Sequence, residues 1–231
     1  MLNAHPMKKS LVLAGAFFIL LAQSGLPRRA AAQWGVEAGA GYFVQNGILQ
    51  APCGCKFDDG TGTGYKISLH FEPFSFLGFT AGAKASLDRK QFSSSHLWGG
   101  GTPTALTDNM LLSTTYLSIE PYLRYNLFAG FFLQAGIGYS YLVHNNFLQH
   151  RDLISGTFGN GSSDSLVENQ PLDGVRSSMA YVPVSAGYEV SILGLGVAPM
   201  ITADIPVTDM SSLSVNKWNL SSYYVSVVLY F

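Results

Sequence analysis

Charge is scarce in this chain of 231 residues: Asp, Glu, Lys and Arg together make up 12%, against about 25% in an ordinary soluble domain. Disordered chains and coiled coils need far more charge, so both are excluded. Cysteine is limited to Cys53 and Cys55, which excludes a disulfide-dense scaffold. Basic residues are few beyond the start of the chain. Four of the thirteen (Lys8, Lys9, Arg28 and Arg29) fall in the first thirty positions, and residues 33–231 keep nine basic against fourteen acidic groups, a net charge of −5. No basic footprint remains for nucleic acid. After Gln33 no apolar run reaches the roughly 20 residues of a membrane-spanning helix.

One apolar stretch, Leu11 to Ala22, follows Lys8 and Lys9 and precedes Ala30-Ala31-Ala32. A positive start, a short apolar segment and small residues at the −3 and −1 positions form the pattern of an export signal. Residues 1–32 are therefore read as a cleaved signal peptide, with cleavage after Ala32 or after Ser24. Residues 33–231 are read as one domain outside the cytoplasm.

That domain is built on period two. Apolar and polar or small residues alternate over 34–44, 65–72, 77–87, 117–125, 131–141, 181–190, 195–205 and 223–231. Eight segments of about ten residues have the length of tilted strands crossing a bilayer. The connections alternate too: 73–76, 126–130 and 191–194 are tight, whereas 46–62, 89–113, 143–177 and 208–219 are long and polar. Short turns on one side and long loops on the other is the asymmetry of a transmembrane barrel, the short side being periplasmic. Aromatic residues of the apolar face gather near strand ends. Trp34, Phe71, Tyr125, Phe131 and Tyr188, with Phe79 and Phe231, fall at the turn end, and Tyr42, Tyr65 and Tyr139, with Tyr141 and Tyr223, at the loop end. Two girdles at headgroup level are expected.

No Lys, Arg, Asp or Glu falls on the eight apolar faces. Glu37, Lys66, Lys84, Glu120, Arg124, Glu189 and Asp204, with Glu72, all fall on the opposite faces. A basic residue toward lipid costs about 2–4 kcal/mol at the bilayer midplane, so the charged face is the inside. The expected fold is all-β: an eight-stranded antiparallel transmembrane up-and-down barrel with short periplasmic turns and long extracellular loops. Strand direction groups Glu37, Arg124 and Glu189 low in the barrel, sets Lys84 near Glu120 above them, and brings Lys66 and Asp204 to the outer rim. Eight strands leave an interior that side chains fill, and buried charges of both signs pair. A plug is expected over a narrow pore, and His70 is read as one of its members.

The chain closes on Tyr223, Val225, Val227, Leu229 and Phe231 at alternate positions. This ending resembles the assembly signal of bacterial outer-membrane proteins, and with the export signal it resembles small barrels of the OmpA/OmpX type. Tyr116-Leu117-Ser118-Ile119-Glu120-Pro121-Tyr122-Leu123-Arg124-Tyr125 and Tyr181-Val182-Pro183-Val184 are similar to strands of PorT-like "outer membrane protein beta-barrel domain" proteins. The resemblance implies an outer-membrane location, with membrane lipid and the barrel-assembly machinery as partners. It brings no catalytic residues. Pro121, Pro183 and Pro199 each remove a ladder donor, and bulges are expected there.

Candidate chemistry is sparse. Cys53-Gly54-Cys55 is read first as a loop disulfide, then as free thiols or a redox pair. No third ligand at suitable spacing makes it a metal site, and no cofactor is expected. A lipid-modifying enzyme would need a His–Ser pair assembled from outer loops holding His96, His144, His150 and Ser93–Ser95. No Gly-x-Ser-x-Gly elbow is present, and the chain is read as not an enzyme. A structural or adhesive role through the loops, with an extracellular ligand, leads; a narrow passive pore for small solutes is the alternative.

Overall fold

The computed structural model describes residues 32–50, 56–57, 60–98, 106–153, 164–212 and 217–231. The export signal and the Cys53–Cys55 pair lie outside them. Among the described residues there is no helix. The strands are β1 (Gln33–Gly47), β2 (Leu49–Gln50), β3 (Lys56–Phe57), β4 (Thr61–Phe76), β5 (Phe79–Trp98), β6 (Leu106–Asn126), β7 (Phe131–Gly136), β8 (Gly138–Leu153), β9 (Asp164–Gln170), β10 (Ser178–Tyr188), β11 (Val190–Ile192), β12 (Leu195–Pro206) and β13 (Trp218–Tyr230).

Eleven of these form one antiparallel sheet, and β2 and β3 form a separate ribbon. From β1 the pairings run to β4, β5 and β6, then to β7 and β8 lying end to end, then to β10, β12 and β13, and so back to β1. Period two gives this sheet an enclosed and an outward face. On β6, Ser118, Glu120, Tyr122 and Arg124 are buried, while Leu117, Ile119, Leu123 and Tyr125 are exposed.

Three tight turns join strands at one end, and each centres on a residue–Gly pair with positive φ: Leu77-Gly78, Ala129-Gly130 and Leu193-Gly194. Positive φ at both central positions is the turn that matches strand twist, usually written Asn-Gly or Asp-Gly. A leucine or alanine there carries a steric cost of roughly 1–2 kcal/mol. The first turn was expected at 73–76; it lies at Leu77-Gly78 because β4 continues through a bulge. Phe71 pairs with Ala83 and Phe74 with Ala81, so Glu72 and Pro73 together oppose Gly82. The extra residue accommodates Pro73, turns Glu72 inward, and keeps Phe74 and Phe76 outward.

The bulges expected at Pro121, Pro183 and Pro199 are not there. Pro183 pairs with Asp204 and Pro199 with Val227 in unbroken register. Opposite Pro121 the strand is interrupted at Ile137, whose N–H donates to the Pro121 carbonyl at 3.1 Å. The missing Pro121 donor leaves that pair with a single bond, yet Tyr122–Gly136 and Ile119–Tyr139 keep one register on either side. One absent N–H is tolerated without an inserted residue.

The long segments 89–113 and 143–177, expected as polar loops, are in large part strand. β5, β6 and β8 continue well beyond the tyrosine ring, and β9 adds to β8. Here the outward face turns mainly polar, and the inward face gains large apolar residues beside Asp108, Thr114 and Gln149. Phe92, Met110, Leu112 and Phe147 point inward and are buried, while Arg89, Gln91, Ser93, Asn109, Ser113 and Thr115 point outward. The inward set joins Phe43, Leu49, Phe57, Leu172, Met210, Trp218 and Leu220 in one apolar cluster. Segments expected to be solvated thus supply a packed cap.

Candidate functional site

The enclosed face holds a continuous network of charges, arranged in tiers by strand register. At the turn end Arg124, from β6, is 1% exposed. Its guanidinium donates to Glu189 and, at 3.2 Å, to the Tyr230 hydroxyl; it lies 3.6 Å from Glu72 and stacks 3.7 Å above the Phe132 ring. Phe132 and Tyr230 belong to a small apolar cluster with Ala198, Met200 and Val228. Apolar packing therefore lies around this tier as well.

The middle tier joins four strands. His70 Nε2 lies 2.8 Å from Glu37, and His70 Nδ1 lies 3.2 Å from the Tyr122 hydroxyl, which donates to Glu72 at 3.0 Å. Lys84 is 2.8 Å from Glu120 and 3.7 Å from Glu37. Strand direction groups Glu37 with Arg124, but Glu37 faces His70 and Lys84. Glu37 stands opposite Ser68 on β4, so His70, two residues further, is its diagonal neighbour on the same face.

In the upper tier Lys66 donates to Asp204 at 2.7 Å and lies 3.9 Å from the Tyr224 ring centre. Tyr224 donates to Asp88 at 2.7 Å, and Lys90 reaches Asp88 at 3.2 Å and Ser222 at 2.8 Å. Tyr181 donates to Glu120 at 3.3 Å and links the two tiers. Lys66 and Asp204 were expected at an outer rim. They lie beneath the cap instead, because the strands run on past them. Above, on the extended sheet, Asp108 accepts two bonds from Arg151 and pushes the guanidinium pKa up further.

Asp88, Lys90 and the inward Tyr122, Tyr181, Tyr224 and Tyr230 are further members, beyond the charges expected inside. The signal was there in their parity with Lys84 and Glu120, and in the inward glycines opposite them. A Cβ on Gly138 would lie 2.1 Å from the Tyr181 ring, one on Gly187 2.3 Å from Phe132, and one on Gly82 2.5 Å from Tyr122. Glycine removes the side chain on one strand so that an aromatic ring from its neighbour fills the centre.

On the outward face, aromatic rings pair across strands at the turn end. Trp34 and Phe71 have centroids 4.6 Å apart, Phe79 and Tyr125 4.7 Å, and Phe131 and Tyr188 4.7 Å. At the other end Tyr42 stands opposite Tyr223, and Tyr65 on β4 and Tyr139 on β8 are exposed. Tyr223, Val225, Val227 and Leu229 form the outward face of β13, with Phe231 following, all exposed.

No family model matches the chain, and no curated protein does. Solved structures that are similar include Neisserial surface protein A (TM-score 0.33, 10% identity, covering 85% of this chain and 95% of that one). Others are Ail, the attachment invasion locus protein of Yersinia pestis (0.34, 10%, 87% and 99%), and the outer membrane protein OprG from Pseudomonas aeruginosa (0.31, 14%, 87% and 97%). At these scores the likeness carries no argument about the role of this chain, which rests on its own faces and charges.

Proposed function

We propose that this chain is an integral outer-membrane protein: an eight-stranded barrel, β7 and β8 forming one interrupted strand, with a sealed interior and a displayed extracellular sheet. The observation that carries the reading is the exchange of polarity along β5, β6 and β8. Below the tyrosine ring the outward face is apolar and the enclosed face charged; above it the outward face turns mainly polar and the inward face gains Phe92, Met110, Leu112 and Phe147 beside the buried Asp108, Thr114 and Gln149. A wall that meets hydrocarbon and then water needs that exchange at one level. The export pattern and the alternate-residue ending at Phe231 support an outer-membrane destination and handling by the assembly machinery.

The interior supports a structural and adhesive role over a pore. Charges of both signs are paired, rings cover Gly82, Gly138 and Gly187 among the inward glycines, and an apolar cap lies above. The polar outward face of the extended sheet, including Arg89, Gln91, Asn109 and Thr115, is the surface offered to an extracellular ligand. Residues 33–231 refolded into a planar bilayer are expected to pass no single-channel current, with a heat-shift gel verifying the folded form. Reproducible conductance steps from folded protein would overturn the sealed interior and make Lys84, Glu120 and Arg124 the selectivity residues.

A further inference from the structure

The tight-turn end shows no exchange of polarity. Segments 73–79, 126–131 and 190–195 contain no Asp, Glu, Lys, Arg or His. Their outward side chains are large and apolar: Phe74, Phe76, Leu77, Phe128, Ile192 and Leu193, with Leu193 99% and Leu77 79% exposed. Both leucines hold positive φ, a conformation that Asn or Gly adopts more readily. A turn selected for water has no reason to place leucine at its tip.

The two aromatic rings differ in kind. The loop-end ring is tyrosine throughout, whereas the turn-end ring includes Phe71, Phe79, Phe131 and Phe231. Phenylalanine lacks the polar handle that holds Tyr and Trp at headgroup level. The spacing agrees. Trp34 to Tyr42 and Tyr223 to Phe231 each span eight residue steps, about 20 Å of height at ~3.3 Å per residue and a tilt near 40°. An apolar band is about 25 Å tall. Leu77 lies two residues beyond Phe79, and Phe128 lies three from both Tyr125 and Phe131, which adds about 5–8 Å at ~3.3 Å per residue and the same tilt.

We propose that the three tight turns are immersed in the inner leaflet of the membrane, Leu77, Phe128 and Leu193 lying among acyl chains and not in the periplasm. The occupant is lipid because the apolar tips are continuous with the lipid-facing wall. The inference rests on the membrane reading above.

Single nitroxide labels test it, in a Cys53→Ser/Cys55→Ser background reconstituted into phosphatidylcholine vesicles. The sites are Leu77→Cys, Phe128→Cys and Leu193→Cys, with Val225→Cys in mid-wall and Asn46→Cys beyond the tyrosine ring as references. A heat-shift gel selects folded protein for each, and Phe128→Cys samples a tip without positive φ. The ratio of collision with oxygen to collision with a water-soluble nickel chelate at the tips is expected to approach that at Val225 and to exceed that at Asn46 several-fold. Tip ratios equal to that at Asn46, or midway between the references, overturn immersion and leave the membrane reading standing. A Val225 ratio equal to that at Asn46 overturns the membrane reading itself.

Discussion

Arg124→Ala is expected to destabilise the folded barrel by about 3–5 kcal/mol, the usual cost of removing one partner from a buried ion pair. The guanidinium is 1% exposed and serves Glu189, Glu72, Tyr230 and Asn126 at once while covering Phe132. Alanine leaves two carboxylates without their cation in a site that water does not readily refill, and a void above the ring. The measurement is the urea midpoint for unfolding from lipid vesicles. Glu189→Ala in the Arg124→Ala background is expected to restore part of the loss, because it removes one of the orphaned charges. An unchanged midpoint for Arg124→Ala would mean that the turn-end tier is solvated.

Gly138→Ala, a single added methyl, is expected to cost about 1–3 kcal/mol by overpacking. The new Cβ would stand 2.1–2.4 Å from three atoms of the Tyr181 ring. That ring is tied by its hydroxyl to Glu120 and has Lys66 Nζ 5.9 Å from its centre, so it cannot swing aside without loosening two tiers. Tyr181→Leu in the Gly138→Ala background is expected to recover much of the loss, a coupling that a double-mutant cycle measures. Additive effects of the two substitutions would show that the ring does not occupy the glycine's space.

The wall of this barrel is legible in the sequence because parity is cheap to read. Lys84, Glu120 and Arg124 share an alternation with Leu117, Ile119 and Leu123 that places one set inside and the other outside. Lys84 lies directly opposite Glu120, and strand direction also brings Lys66 to Asp204 and Arg124 to Glu189, neither of them directly opposite its partner. Glu37 meets His70 diagonally, and strand direction alone does not resolve that offset. The first turn is hidden by its chemistry: Leu77-Gly78 lacks the Asn or Asp that marks such a turn, and Pro73 four residues earlier looks like a better breaker. The cap is hidden for a different reason. Beyond the tyrosine ring the strands carry Phe92, Met110, Leu112 and Phe147 on the inward parity, the reverse of the apolar-out pattern below it, so the continuation of the strands does not stand out in the sequence.

The seam between β1 and β13 has a consequence for how this ring comes into being. Most other neighbours in the ring are close in the chain, so their ladders can zip from adjacent hairpins. Gly35 and Tyr230, by contrast, pair across 195 positions, and the Trp34 and Phe231 backbones exchange two hydrogen bonds. Loop closure over such a separation is entropically unfavourable and slow, and it is repaid only after the intervening strands are in place. Until then two long strands present bare edges at once, and each is a template for another chain. The vulnerable interval in the life of this protein is therefore the moment before its ring shuts, while both edges are open to pairing with another chain.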